Sequence, residues 1–352
     1  AQIGHVQRAD LGARWAALPL ANRGLFEAGV GILGIAFLIK AGIWPLNFWL
    51  PAAYGAASPP AAAMFAIMTK VGVYALLRMG SLLAQPDAPA PFGGPWLFYA
   101  TLATMWFGIV GMLAARQLTR LVAFSVIVSS GTLLAVAALN ITSTTAPMLL
   151  YLIASVPAGT AFFLIAGMSE RLRVNSVTET MPPQPTTYTA FMAGEPQETE
   201  AADHESDEVG VAIPAALAFL GMAFVACVIL TTGLPPLVGF LAKFSLISAL
   251  LGPAVDESSM DAWLLIVSLL AAGFAALIAL TNRGIRNFWS SGRLTPRLSF
   301  IEAGPVAFLI LLCVTMTVAA GPVMEYLDLA ARWLQDPDAY IRAVIPRAEA
   351  PL

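Results

Sequence analysis

The chain has 352 residues, of which 59% are hydrophobic and 11% charged, with a formal net charge of −3, an isoelectric point near 5.4 and a mean hydropathy of +0.79. A soluble domain carries about 25% charged residues, so the composition excludes an ordinary soluble globule and places the chain in a lipid bilayer. The acidic balance argues against nucleic acid as a partner.

Residues 1–23 form a polar N-terminal segment, and no charged n-region with a short apolar core and cleavage site follows Ala1, so no signal peptide is expected. Apolar runs long enough to span, roughly 17 to 25 residues each, then appear near 24–42, 58–83, 93–115, 119–141 and 146–170. The stretch 171–209 is rich in Pro, Thr, Glu and Asp and poor in core formers, which predicts an exposed acidic loop. Further apolar runs cover 210–232, 235–251, 260–282 and 303–324. None of these runs alternates polar and apolar residues, so a closed barrel is excluded and helices remain. The expected fold is an all-α, polytopic bundle of about eight traverses, some discontinuous, with membrane helices over 24–170 and 210–324. The final segment, 325–352, contains EYLDLAARWLQDPDAYIRAVI, whose apolar spacing predicts an amphipathic helix over 325–345, lying in the interface or binding a partner.

If 210–251 is one interrupted traverse, Arg116, Arg120, Arg171, Arg173, Arg283, Arg286, Arg293 and Arg297 fall on one side of the membrane. The opposing short loops offer Arg78, so the positive-inside rule places the eight-arginine side, with the acidic loop, in the cytoplasm. Both cysteines, Cys227 and Cys313, lie in apolar runs and read as packing residues, while His5 and His204 lie in polar segments. No metal-ligand spacing, catalytic triad or Walker loop occurs, so no metal, cofactor or catalytic centre is expected. Gly29, Gly31 and Gly34 spell GxGxxG inside a membrane run, where small residues that pack against a second helix explain the glycines better than a phosphate site does.

The basic residues are segregated. All fifteen arginines sit in loops or near helix ends, whereas the three lysines, Lys40, Lys70 and Lys243, all lie inside apolar runs. Arginine stays protonated in proteins, while a desolvated lysine can release and regain a proton. An intramembrane ionisable group costs at least about 2.5 to 3.5 kcal/mol, so three of them imply a function or compensating partners. Snorkelling is the bland alternative. It does not suit Lys70, which has about ten apolar residues, roughly 15 Å, on each side. It suits Lys40 poorly, and Lys243 depends on how 235–251 is seated.

KAGIWPLNFWL (40–50) aligns with TTGLPPLVGFL (231–241), matching Gly42 with Gly233, Pro45 with Pro236, Leu46 with Leu237 and Leu50 with Leu241. Each copy pairs a helix break, Gly42 and Pro45 or Gly233, Pro235 and Pro236, with a nearby lysine. Paired breaks in an intramembrane repeat point to a transport site, while a simple proline kink is the alternative. Between the lysines in sequence lie Ser125, Ser129, Ser130, Tyr151, Ser155 and Thr160, which could hold a chain of waters or could bond their own backbone.

FLIKAGIWPLNFWLPAAYGAASPPAAAMFAIMTKVGVYALL, RLVAFSVIVSSG (120–131) and GLPPLVGFLAKFSLI (233–247) resemble the proton-conducting antiporter-like subunits shared by respiratory complex I and the multisubunit Mrp sodium/proton antiporters. DEVGVAIP and QDPDAYIRAV look closest to the D-type subunits of Mrp antiporters. The resemblance implies a fourteen-helix fold of two inverted five-helix repeats, each with a discontinuous helix, of which this chain supplies the C-terminal part. It matches Lys40 to the lysine of the first broken helix, Lys70 to the lysine or histidine of the next helix, and Lys243 to the lysine of the second broken helix. The family's first six or so helices, one carrying a glutamate that pairs with the lysine matched by Lys40, have no counterpart here. A family histidine in the helix around 150–167 is replaced by Ser155. The implied function is proton relay in a monovalent cation (sodium)/proton antiporter of the bacterial cytoplasmic membrane, with other membrane subunits as partners. A complex I or membrane hydrogenase arm, or a non-conducting scaffold, are the alternatives.

Overall fold

The computed structural model describes residues 20–83, 95–180, 215–253, 259–285 and 300–336, and these are helical apart from short connections. The helices are α1 (Leu20–Ala41), α2 (Trp49–Ala56), α3 (Pro59–Leu83), α4 (Pro95–Ala114), α5 (Leu118–Leu139), α6 (Thr145–Thr180), α7 (Ala215–Thr232), α8 (Val238–Leu250), α9 (Met260–Gly284), α10 (Phe300–Val318) and α11 (Ala320–Gln335). Seven of them, α1, α3, α4, α5, α6, α9 and α10, are long and apolar enough to cross a membrane, and α7 and α8 are shorter apolar helices in series. Large apolar side chains such as Ile32, Phe48, Phe274 and Phe308 face away from the bundle, as a hydrocarbon surrounding allows.

The two expected helix breaks are present and share one backbone geometry. Gly42 and Gly233 adopt φ of 81° and 78°, the left-handed conformation that lets a helix end without a Cβ penalty. Ile43 N donates to Leu38 O at 3.1 Å and Leu234 N donates to Ile229 O at 3.1 Å, the same six-to-one closure in each copy. At the first break, Trp44 N donates to Thr104 Oγ1 of α4 at 2.8 Å, which satisfies one amide released by the interruption. Asn140 ends α5 in the same left-handed conformation (φ 51°).

α6 is the central post, in contact with α3, α5, α7, α8, α10 and α11, while α5 packs against α2, α3, α4, α6 and α9. The buried apolar residues divide into two clusters. One, at the arginine-rich end, includes Tyr54, Ala66, Val128, Ala161, Val228 and Ala272. The other, at the opposite end, includes Val73, Leu133, Ala158, Leu230 and Ile266. On three helices the boundary falls at a polar residue: Lys70 on α3, Ser129 and Ser130 on α5, Thr160 on α6. These residues form a polar layer between the two clusters.

Two segments differ from the sequence expectation. α6 runs on to Thr180, so residues 171–180 are helical where a loop was expected; residues 181–209 lie outside the described residues. The amphipathic helix begins at Ala320 instead of 325, because the turn at Ala319 (φ −92°, ψ 27°) starts a new helix early, and it runs to Gln335; residues 337–345 of the expected helix lie outside the described residues. Its buried residues are Leu327 and Ala331, of which Leu327 joins the core cluster opposite the arginine-rich end, and Gln335 Nε2 donates to Thr142 O at 3.1 Å and Thr145 Oγ1 at 2.7 Å. Part of the apolar surface of this helix thus packs within the chain, against α6, while Tyr326, Leu329 and Trp333 stay exposed.

Candidate functional site

Lys70 sits on α3 with 3% of its surface exposed. All three donors of its ammonium are engaged by α5: Nζ donates to Ser129 Oγ, to Ser130 Oγ at 3.1 Å and to Val126 O at 3.5 Å. Ser129 in turn donates to Val126 O at 3.0 Å, which leaves its lone pairs directed at the lysine. The partners are neutral dipoles, and among the described residues no carboxylate pairs with this ammonium.

Lys243, half-buried on α8, folds back to the end of α7 and donates to Thr231 O at 3.0 Å and Thr232 O at 2.8 Å. These are carbonyls that a helix leaves without an intrahelical partner at its C-terminus, where the macrodipole also favours a cation. The left-handed Gly233 makes this possible, since a Cβ there would lie 2.6 Å from Lys243 Cδ. Gly273 on α9 completes the seat: a Cβ there would lie 3.0 Å from Thr232 O and 3.7 Å from Lys243 Nζ.

A cavity of about 50 Å³ is lined by Lys243 and by Ser129, the partner of Lys70. Ser125, Ser129, Tyr151, Ser155, Thr231 and Lys243 supply its polar wall, and apolar residues of α4 to α9, alanines prominent among them, the rest. At about 10 to 15 Å³ per water centre, it has room for roughly three to five waters. Pro157 of α6, which has no N–H, frees the Ile153 carbonyl of its helical partner just beside this wall. On its other side Lys243 borders a groove of about 750 Å³ walled by Phe240, Phe244 and Phe274.

The remaining expected residues fall elsewhere. Lys40 lies in the last turn of α1, half-buried, and makes no hydrogen bond or ion pair among the described residues. It reaches the site only through the helix contact at Gly72, where a Cβ would meet Ala41 N at 3.0 Å and Phe37 O at 3.2 Å. Thr160 donates to Val156 O at 2.8 Å and is not part of the cavity wall. Ser125 and Ser155 donate to their own helix, to Val122 O at 2.7 Å and Leu152 O at 2.9 Å, yet also line the cavity, so the two readings of these hydroxyls coexist.

The sequence pattern of the family described as NADH:quinone oxidoreductase/Mrp antiporter, TM, matches residues 17–193. The chain belongs to this family. It is 42% identical over 354 residues to the D-type component of a probable K(+)/H(+) antiporter of Rhizobium meliloti (strain 1021), covering 98% of this chain and 64% of that protein. To the D-type component of the Na(+)/H(+) antiporter of Bacillus subtilis (strain 168) it is 30% identical over 321 residues, covering 89% of this chain and 57% of that one. Among solved structures it shares its fold with a chain of the Mrp complex from Dietzia sp. DQ12-45-1b, with a TM-score of 0.67 at 21% identity over 92% of this chain and 62% of that one. The chain thus spans less than two thirds of the length of these relatives.

In this antiporter-family chain, the partners that sequence reasoning missed are mostly backbone: the carbonyls of Thr231, Thr232 and Val126, and the glycine at 273. A signal existed for the first two, because a Gly-terminated helix followed by Pro-Pro must expose its last carbonyls, and a lysine ten residues on can reach back to them.

Proposed function

We propose that the chain is the proton-conducting part of the D-type component of an Mrp-type monovalent cation/proton antiporter in the bacterial cytoplasmic membrane, in which Lys40, Lys70 and Lys243 carry the proton. The single observation that supports this most is the small cavity with Ser129, the partner of Lys70, on one wall and Lys243 on another. A proton leaving Lys70 passes to Ser129 or a cavity water, while the receiving oxygen hands its own proton toward Lys243. Lys243 accepts when its amine is neutral, and the carbonyl end of α7 then holds the ammonium. Two ammonium groups, one lining the cavity and one behind its Ser129 wall, repel in a low-dielectric interior, so occupancy of one site favours release from the other. Lys40 is the terminal member, coupled through the α1–α3 contact at Gly72.

The arginine-rich end faces the cytoplasm in this reading, and other membrane subunits complete the complex. The coupling cation is monovalent: the relative at 42% identity is named for potassium and the one at 30% for sodium, so sodium, the cation expected from the sequence, stands beside potassium. The family description also includes NADH:quinone oxidoreductase; the two antiporter relatives, matched over 98% and 89% of the chain, favour the antiporter. The test is proton flux driven by a sodium or potassium gradient in vesicles that hold the whole complex. Wild type moves protons with at least one cation, and Lys243→Gln, fully assembled, loses that flux. Wild-type flux in assembled Lys243→Gln would overturn the relay and leave the scaffold reading.

A further inference from the structure

Tyr54, on the short helix α2 after the first break, is fully buried. Its ring stacks on Phe163 of α6, with centroids 5.1 Å apart and planes at 16°, and meets Phe65 edge-on at 6.3 Å. These contacts need only a phenyl group. The hydroxyl faces the Thr69 side chain but closes no hydrogen bond, although an unpaired buried hydroxyl is costly and selection for packing alone would favour its loss. Thr69, itself buried, donates to Ala66 O at 2.7 Å and immediately precedes Lys70.

The position is informative. Tyr54 belongs to the core cluster on the arginine-rich side of the polar layer. At that end Arg120 lies over Gly55, with its Nε 3.5 Å from where a Cβ would stand. Thr119, beside Arg120, donates its backbone N–H to Glu170 Oε1 at 3.4 Å, and its side-chain Oγ1 is also buried without a partner. Three buried side-chain polar atoms lack a partner among the described residues, Asn47 Nδ2, Tyr54 Oη and Thr119 Oγ1. Two of them lie between the arginine-rich end and Lys70. Glu170 is seven residues from Phe163 on α6, and Thr119 seven residues from Val126 on α5, so about 10 Å separates each from the level of Tyr54 and Lys70.

We propose that Tyr54 is the proton-passing group on the arginine-rich side of Lys70, taking protons from water admitted past Glu170 and Thr119 and handing them through the Thr69 hydroxyl to the Lys70 amine. The inference rests on the proton-conducting reading above. In one step a hydronium proton binds a lone pair of Tyr54 Oη as the tyrosine O–H proton moves to Thr69 Oγ1. The Thr69 proton then forms the third N–H bond of a neutral Lys70 amine, becoming part of its ammonium. Each hydroxyl ends with one proton, so reorientation of the O–H bonds resets the pair and no other reactant is consumed.

The experiment compares Tyr54→Phe, Thr69→Val, Thr69→Ser and Lys70→Arg in the whole complex, by cation-driven proton flux in vesicles and by thermal stability of the solubilised complex. Tyr54→Phe is expected to lower flux about tenfold or more, with assembly and stability unchanged or improved, and to raise the solvent isotope effect on flux because the crippled step becomes limiting. Thr69→Val lowers flux in the same way and Thr69→Ser keeps it. Wild-type flux in Tyr54→Phe while Lys70→Arg has none would overturn this inference and spare the relay. Wild-type flux in both would overturn both.

Discussion

Gly233→Ala separates the backbone role of the second helix break from its role in seating Lys243. Alanine at a φ of 78° costs about 1–2 kcal/mol for the left-handed conformation. Its Cβ would stand 2.6 Å from Lys243 Cδ and 3.2 Å from Cε, so the lysine stem must move and its ammonium must leave one or both of Thr231 O and Thr232 O. A hydrogen bond to a charged group contributes about 1.5–3 kcal/mol, and each 1.4 kcal/mol is about tenfold in an equilibrium, so loss of one bond depletes the seated ammonium roughly tenfold or more. Gly42→Ala is the matched control: φ is 81°, the strain is the same, and the clash is with Leu50 Cδ1 and not with a lysine side chain. Thermal unfolding of the solubilised complex should show similar losses for both variants, while proton flux per assembled complex should fall about tenfold or more for Gly233→Ala alone. Equal flux in the two variants would refute the assignment of Gly233 to the seat of Lys243.

Other outcomes follow from the same geometry. Ser129→Ala removes a partner of Lys70 and a hydroxyl of the cavity wall, and should cut flux roughly tenfold. Thr160→Val, one turn beyond Ser155 and off the cavity, should leave flux unchanged in the same assay. Gly72→Ala places a Cβ 3.0 Å from Ala41 N and 3.3 Å from Lys40 C; backbone cannot give way as a side chain can, so overpacking should cost about 1–3 kcal/mol, read as lower thermal stability. The Arg171–Glu302 pair joins α6 to α10 at 2.6 Å, with side chains 60% and 33% exposed. Solvent screening discounts it to below about 1 kcal/mol, so Glu302→Gln should change stability little, and high salt should erase the difference.

Much of the bundle was legible because a bilayer permits few solutions. Runs of about twenty apolar residues can only be helices there, and a glycine followed closely by proline can only end one, which is why both breaks at Gly42 and Gly233 were readable in the sequence. The lysines stood out for a chemical reason, since intramembrane charge is expensive and arginine had been kept out. What the sequence could not supply is partnership across distance. Nothing local says that Ser129 and Ser130 meet a lysine some sixty residues earlier, or that Thr160 faces away while Ser155 lines the cavity. Lys243 read as an ion in need of a function or compensating partners, and its actual partners are carbonyls, which every residue carries and no residue advertises. The terminal helix starts before the expected 325, at Ala320, because the turn that separates it from α10 is the single residue Ala319, which carries no Gly or Pro signal in the sequence.

The claim that a proton moves through Lys70 is tested most directly by cation-driven proton flux in vesicles carrying the assembled complex with Lys70→Arg. Arginine keeps the positive charge and does not give up its proton. A relay through Lys70 predicts that assembly persists and flux is lost; wild-type flux in the assembled variant would mean that a fixed charge suffices at this position and would contradict the relay.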